Sequence, residues 1–275
     1  LPTLLNMYTQ YGPKGLWGKY GFYDAFNPTI DWYNPDYLGI DQGPIVLMIE
    51  NWRNGFVWKY MMQDPVVQHG LQRLGFQRTQ LYPFENEIRD FEKADKINPP
   101  PENAVLFVGS SSIRMWKSLH EDMAPIKVIN RGFGGSQAEH VIHFFDRVVL
   151  PYKPRAIVFY EGDNDIDSGK MPVEVLVHYK EFVRLVEKKL PGTPVYLLAI
   201  KPSIARQKVW LNMQKANTLI QTFAETRENV TFVDVASVML REDGTIRDDI
   251  FIADNLHMNA TGYTLWKNMI KPLIE

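Results

Sequence analysis

The run Ala104–Gly109 (AVLFVG) passes without a break into Ser110-Ser111-Ser112 and then into a helical stretch, Ile113–Leu119, and the reading of the fold turns on this junction. The run is short, apolar and rich in β-branched and aromatic residues, the pattern of a strand. Four more runs of the same kind follow: Lys127–Asn130 (KVIN), Ala156–Tyr160 (AIVFY), Val195–Ile200 (VYLLAI) and Thr231–Val235 (TFVDV). Helical stretches lie between them, clearest at Pro172–Leu190 and Val209–Arg227. Strand, helix, strand, repeated, predicts parallel strands joined by right-handed crossovers, with helices on both faces of the sheet. The expected class over residues 104–275 is therefore α/β, with a five-stranded parallel sheet.

Open parallel sheets bind ligands at the carboxyl ends of their strands, so the residues that follow each strand are the candidates for chemistry. The first strand is followed by Gly109-Ser110-Ser111-Ser112, the second by Asn130-Arg131-Gly132-Phe133-Gly134-Gly135, the third by Glu161-Gly162-Asp163-Asn164-Asp165. Near the C-terminus Asp254-Asn255-Leu256-His257 precedes a last helix, for which Asn259 suits the N-cap. Taken singly, each block has an ordinary reading as a turn, a helix entry or a surface pair. Together they supply what acyl transfer needs. A serine hydroxyl is a poor nucleophile near neutral pH without a base in hydrogen-bond reach. His257 can be that base, and Asp254 can accept the other imidazole N–H and fix its tautomer. The backbone N–H groups of Ser111 and Gly135 and the side-chain amide of Asn164 can serve as three oxyanion donors.

Those four blocks, in that order, resemble the SGNH/GDSL hydrolase superfamily of serine esterases over residues 104–275. The resemblance implies a flavodoxin-like three-layer α/β/α fold and hydrolysis of carboxylic esters, often of acetyl or other short acyl groups. It maps the four named residues onto Ser111, Gly135, Asn164 and His257. Where the family has Gly-Asp-Ser, this chain has Gly109-Ser110-Ser111. The missing acid leaves Ser110, Ser111 and Ser112 as candidate nucleophiles, and the register of the motif favours Ser111.

Residues 1–80 follow a different grammar. Aromatic residues crowd the first forty positions, punctuated by Gly12-Pro13, Asn27-Pro28 and Asn34-Pro35, which predicts loops and turns. One helix is expected over Pro44–Met62, with Pro44 in its first turn, and a second after Asp64-Pro65, ending near Gly70 or Gly75. Gly21–Asn27 and Tyr37–Asn51 resemble the C-terminal end of glucoamylase-like α/α-barrel domains, a family that includes enzymes acting on β-linked glucans. So short a stretch cannot build a six-hairpin toroid, and the region reads as a remnant or fragment of one, mainly helical. Asp24, Asp41 and Glu50 are candidates for relics of a glycosidase site, with turn, cap and helix-face roles the plainer reading. The aromatic cluster suits core packing better than sugar binding. Residues 81–103, a polar helix over Glu85–Lys96 and then Pro99-Pro100-Pro101, form the expected connection between the two regions.

The 275 residues are 45% hydrophobic and 23% charged, with a net charge of -2, which suits a globular protein and gives no pull toward nucleic acid or anionic membrane. Cys is absent, which excludes disulfides, thiolate metal sites and cysteine nucleophiles. No apolar run approaches the roughly 18 residues of a membrane span. The start at Leu1 reads as processed, without a visible signal peptide, and a periplasmic or secreted location is favoured over a cytoplasmic one. His140 and His143, at i and i+3, are a weak candidate metal pair for want of a third ligand nearby. The expected activity is a serine esterase without cofactor or metal, acting on a small-molecule or acylated carbohydrate ester. The alternative is a carbohydrate-binding or glycoside hydrolase-related module.

Overall fold

The computed structural model of the chain describes residues 2–74 and 82–275, which fall into two compact units, Leu1–Gln80 and Leu81–Glu275. The second unit opens with α1 (Glu85–Ile97) and β1 (Val105–Gly109), followed by α2 (Ser111–Arg114) and β2 (Val128–Gly132). Next come α3 (Ala138–His143), β3 (Ala156–Tyr160), α4 (Asp163–Asp167) and α5 (Pro172–Lys189). It closes with β4 (Val195–Leu198), α6 (Trp210–Ala224), β5 (Val230–Val233) and α7 (Ala260–Ile274). The five strands form one parallel sheet in the order β2-β1-β3-β4-β5. All five predicted strands are present, with their ends shifted by no more than two residues.

Period-two alternation divides the sheet's side chains between two apolar layers. Val105, Phe107, Val158 and Tyr160 pack with Trp116 and with Tyr263 and Trp266 of α7. Leu106, Val108, Ile157 and Phe159 pack with Tyr179 and Phe182 of α5 and Ile220 of α6. Phe159 and Phe182 stack with ring centroids 4.0 Å apart. Each such side chain contributes about 1.5–3 kcal/mol by leaving water, so both helical layers are held on the sheet by burial. The expected three-layer architecture is what the chain adopts.

The helix read as part of the connecting segment, α1, packs on this α/β unit. Ile88 is fully buried, Glu85 and Glu92 both pair with Arg147 (2.7 and 2.6 Å), and Asp95 holds Arg131 and the Tyr152 hydroxyl. The charged residues that made α1 read as a polar connecting helix include carboxylates facing arginines of the unit it belongs to.

The first unit departs further from expectation. A helix over Pro2–Tyr11 stands where loops were predicted, and two short antiparallel pairs, Trp17–Gly18 with Gly21–Phe22 and Phe26–Asn27 with Trp32–Tyr33, follow it. The helix expected over Pro44–Met62 begins at Gly39, so Pro44 lies inside it, and it ends at Asn54. Gly55 takes a left-handed conformation (φ 67°), donates its N–H to the Asn51 carbonyl at 2.7 Å, and starts a separate helix, Phe56–Met61. The next helix, Pro65–Arg73, starts as expected behind an Asp64 cap and runs through Gly70; Gly75 lies outside the described residues. Trp17 meets Tyr8 and Phe22 edge-on at 4.9 Å, yet Trp17, Tyr20 and Trp32 stay exposed, so these rings do not form the closed core the composition suggested.

Gly109 shows how tightly β1 is set. Its φ is +147°, and a Cβ there would lie 1.9 Å from the carbonyl oxygen of Tyr160. Gly192 also has a positive φ, +81°, but a Cβ there would meet nothing within 4 Å. Gly192→Ala should cost about 1 kcal/mol from backbone strain alone, and Gly109→Ala on the order of 3 kcal/mol or more from strain and overpacking combined. Denaturant unfolding of the two variants compares them directly. Equal losses would show that the close approach of β1 to β3 is not what demands glycine.

Candidate active site

The register of the sheet brings three of the four blocks to one edge. Gly109 pairs with Gly132 on one side and with Tyr160 on the other, so the turns after β1, β2 and β3 leave the sheet at the same level. Ser110 is the N-cap of α2 with extended backbone, and the chain turns at once, which lifts Ser111 to the start of the helix. Ser110 and Ser112 are buried, whereas Ser111 is partly exposed. Two contacts hold the turn from behind. Asn130 donates from Nδ2 to the Ile113 carbonyl at 2.7 Å, and the Tyr263 hydroxyl of α7 donates to the Ser112 carbonyl at 3.0 Å.

The late loop lies in the same apolar layer as α2, with Phe251 and Met258 packed among the residues around Ile113 and Trp116. Asn259 caps α7 by accepting from the Gly262 N–H at 3.1 Å, as its position predicted, and the Ile252 N–H donates to the His257 carbonyl at 2.9 Å. Within this loop the Nδ1 of His257 lies 2.6 Å from Asp254 Oδ2, and its Nε2 lies 2.9 Å from Ser111 Oγ. Asp254 Oδ1 accepts the backbone N–H groups of Leu256 and His257, both at 2.9 Å. Desolvation works to raise the Asp254 pKa, but the His257 hydrogen bond and those two N–H groups outweigh it and bring it down to about 2. The carboxylate is thus a fixed, ionised acceptor beside the imidazole, and the imidazole is within reach of a hydroxyl.

The remaining predicted residues line the same edge. Gly135 sits in a left-handed turn (φ 84°), and Asn164 lies in α4, two residues past Gly162. Among the described residues, neither the Ser111 nor the Gly135 N–H donates a hydrogen bond. Asn164 donates from Nδ2 to the Ser136 carbonyl at 2.7 Å, which ties the turns after β2 and β3 together. Asp165 reinforces that tie, accepting from the N–H groups of Ala138 and Gly162 at 3.2 Å and from Lys170 Nζ at 3.1 Å. Burial opposes its charge, yet His178, Lys170 and the Ala138 N–H hold its pKa below the usual carboxylate range.

Two groups in this edge were not picked out from the sequence. Glu161 is fully buried and accepts the Ser136 hydroxyl at 2.5 Å; burial, with Asp165 adding to it, pushes its pKa well up. Lys201, just past β4, is also fully buried, 2.8 Å from the Leu256 carbonyl and 3.3 Å from Asp163; burial lowers its pKa to about 7, against the pull of Asp254. The signal for Lys201 was its place at a strand's carboxyl end, one of the two that carry no recognisable motif.

The other candidates take structural positions. His140 Nδ1 accepts the Gln137 N–H at 2.9 Å, and His143 stacks on Tyr82 at 3.6 Å. No group of three or more His, Asp or Glu able to hold a metal ion occurs among the described residues. Asp24 accepts from Asn34 Nδ2 at 3.3 Å, Glu50 pairs with Arg53 one turn away at 2.5 Å, and the Asp41 side chain lies outside those described. Among the described residues no helix is long and apolar enough to cross a membrane.

Comparison with known proteins follows the same division of the chain. The GDSL-like lipase/acylhydrolase family model matches residues 106–265, and the glycoamylase family model matches residues 1–65. Platelet-activating factor acetylhydrolase IB subunit alpha1 from Bos taurus is 27% identical over 184 residues, covering 62% of this chain and 74% of that protein. An exo beta-1,2-glucooligosaccharide sophorohydrolase from Parabacteroides distasonis is 43% identical over 74 residues, 27% of this chain. The chain spans only 10% of that relative's length. Among solved structures, a GDSL-like lipase from Bacteroides thetaiotaomicron superposes with a TM-score of 0.58 at 20% identity, over 68% of this chain and 96% of its own. A catalytic mutant of an acetylxylan esterase from Geobacillus stearothermophilus gives 0.54 at 14% identity, over 64% and 95%. At those identities the likeness is one of fold.

The lowered pKa of Asp254 has a consequence for stability. Its folded value of about 2 lies below its ordinary 3.8, so its contribution is complete above the ordinary value and is lost as pH falls toward the folded one. The stability advantage of the native chain over Asp254→Asn should therefore shrink between about pH 4 and pH 2, as followed by denaturant unfolding at stepped pH. A difference that stays constant across that window would mean the carboxylate is not held by His257.

Proposed function

The chain belongs to the GDSL-like lipase/acylhydrolase family, and on that footing we propose that it removes short acyl groups, acetyl foremost, from an acylated carbohydrate, with Ser111 as nucleophile. The observation that carries this reading is the line of contacts Ser111 Oγ, His257 Nε2, His257 Nδ1, Asp254 Oδ2, at 2.9 and 2.6 Å. In the proposed reaction Ser111 Oγ attacks the ester carbonyl carbon while His257 Nε2 takes the hydroxyl proton. The negative charge gathers on the former carbonyl oxygen, facing the N–H groups of Ser111 and Gly135 and the amide of Asn164. Collapse of this intermediate breaks the bond to the alcohol oxygen, and His257 returns the proton to the departing alcohol. Water, deprotonated by the same imidazole, then attacks the acyl-serine, releasing the carboxylic acid and restoring Ser111. Asp254 stays ionised throughout and steadies the imidazolium.

The acyl and alcohol parts rest on different support. Short acyl chains accord with the acetylhydrolase and the acetylxylan esterase to which the α/β unit is similar. Carbohydrate as the alcohol accords with the first 65 residues, whose family model and whose sophorohydrolase relative both concern glucan-acting proteins. A panel of p-nitrophenyl esters from acetate to octanoate, beside acetylated gluco-oligosaccharides, tests both parts. Acetate should be turned over fastest, and acetate release from the sugars should be measurable; preference for octanoate would remove the short-acyl reading.

The nucleophile is tested separately. Ser111→Ala and His257→Ala should each lower ester hydrolysis by at least about 10³-fold, because the two act as a unit. A fluorophosphonate should label Ser111 in the native chain and leave Ser111→Ala unlabelled. Loss of activity and labelling in Ser110→Ala or Ser112→Ala instead would move the nucleophile by one position.

A further inference from the structure

The carboxyl end of β4 clasps both halves of the site. Ile200, where the chain leaves the sheet, is fixed on α6 by Asn217, which accepts its N–H at 2.7 Å and donates to its carbonyl at 2.9 Å. From that anchor, Lys201 Nζ reaches the Leu256 carbonyl at 2.8 Å and the Ala205 N–H reaches the Asn255 carbonyl at 3.1 Å, so the segment grips the loop that carries His257. Arg206 turns the other way. Its Nη2 donates to Asn164 Oδ1 at 3.0 Å, its Nε lies 3.2 Å from Asp167 Oδ2, and its guanidinium also pairs with Asp163.

The contact with Asn164 decides which end of an amide faces the reaction. A primary amide fits its site in two orientations related by a half turn, with a donor at one end and an acceptor at the other. With Nδ2 turned toward the oxyanion it stabilises the intermediate; with Oδ1 there it repels it. Asn164 has two partners that each accept one orientation only. Guanidinium has no acceptor, so Arg206 can bind Oδ1 alone. The Ser136 carbonyl has no donor, so at 2.7 Å it can bind Nδ2 alone. One N–H of Nδ2 is spent on Ser136, and the second has no partner among the described residues. We infer that Arg206 is a positioning residue that locks the Asn164 amide in its donating orientation and, by placing a cation on Oδ1, strengthens the N–H that donates. This rests on the proposed role of Asn164 in the oxyanion hole. Among the described residues Arg206 makes no contact with Ser111, and its effect passes through Asn164.

Steady-state kinetics on a p-nitrophenyl ester, with each enzyme titrated by fluorophosphonate so that only competent sites are counted, test this in a double-mutant cycle. Arg206→Met should lower kcat by about 10- to 100-fold with KM changed by less than about twofold, a fraction of the 10²–10³ typical of a lost oxyanion donor. Asn164→Ala should lose more, and Arg206→Met added to Asn164→Ala should cost almost nothing further, because the amide it orients has gone. Arg206→Lys, which keeps a cationic donor toward Oδ1, should recover part of kcat. It also supplies the comparison should Arg206→Met not fold, since its smaller loss must likewise vanish on the Asn164→Ala background. Losses that multiply in the double variant would mean Arg206 acts elsewhere, overturning this inference and leaving the role of Asn164 intact. Full kcat in Arg206→Met would overturn it too. Full kcat in Asn164→Ala would remove the oxyanion role itself, and with it the reason for Arg206.

Discussion

The register of β1 against its two neighbours is the constraint on which the site depends. β1 is paired on both sides, and Gly109 stands opposite Gly132 and Tyr160 at once. A slip of one residue on either side would send Ser111, Gly135 or Asn164 to a different height and exchange the two apolar faces of the strand. That is why the close approach at Gly109 matters: backbone meets backbone there, with no room for a methyl group, and the strands are held where their ends coincide. The layers of Phe107 with Trp116, and of Phe159 with Phe182, are what make any other register costly.

Beneath this edge lies an unusual density of buried ionisable groups. Asp163, Asp165, Glu161 and Lys201 are all nearly or wholly out of water. Burying one charge is expensive unless it is paired and its hydrogen-bonding capacity filled. Asp165 meets that condition through two backbone N–H groups and Lys170, and Asp163 through Lys201 and Arg206. A hydrophobic filling would cost less in desolvation, but it could not hold three turns from different strands at fixed relative positions. Directional bonds can: Ala138 to Asp165, and Lys201 and Arg206 to Asp163, join one turn to another.

What the sequence disclosed and what it hid follow a physical pattern. The strands were legible because fully buried parallel strands are compact apolar runs, and the blocks after β1, β2 and β3 were legible because glycines, serines and asparagines act close to their own backbone. The Asp254–His257 pair is local too, three residues apart across a tight turn. Arg206 and Lys201 act through long side chains on groups 42 and 55 positions away, at Asn164 and Leu256, and no local spacing encodes that. The same holds for Glu161, whose partner Ser136 lies 25 residues back. In the first unit the misreadings were of backbone: Pro44 was taken for a helix start when the helix already had begun at Gly39, and Gly55 was not recognised as a left-handed stop. The helix Pro2–Tyr11 escaped because its aromatic residues and the Gly12-Pro13 that follows were read as signals of loops and turns.

Glu161 bears on the electrostatic potential of this edge. It lies under the turn that presents Gly135, joined to it through Ser136, and its environment favours the protonated acid. A carboxylate in that place would lay a full negative charge behind the N–H groups proposed to face the oxyanion, weakening them by repulsion across a medium that screens poorly. Protonated, the same side chain would hold the turn through its contact with Ser136 without adding that charge. Burial pushes this acid toward its uncharged form, in which it can serve as a strut.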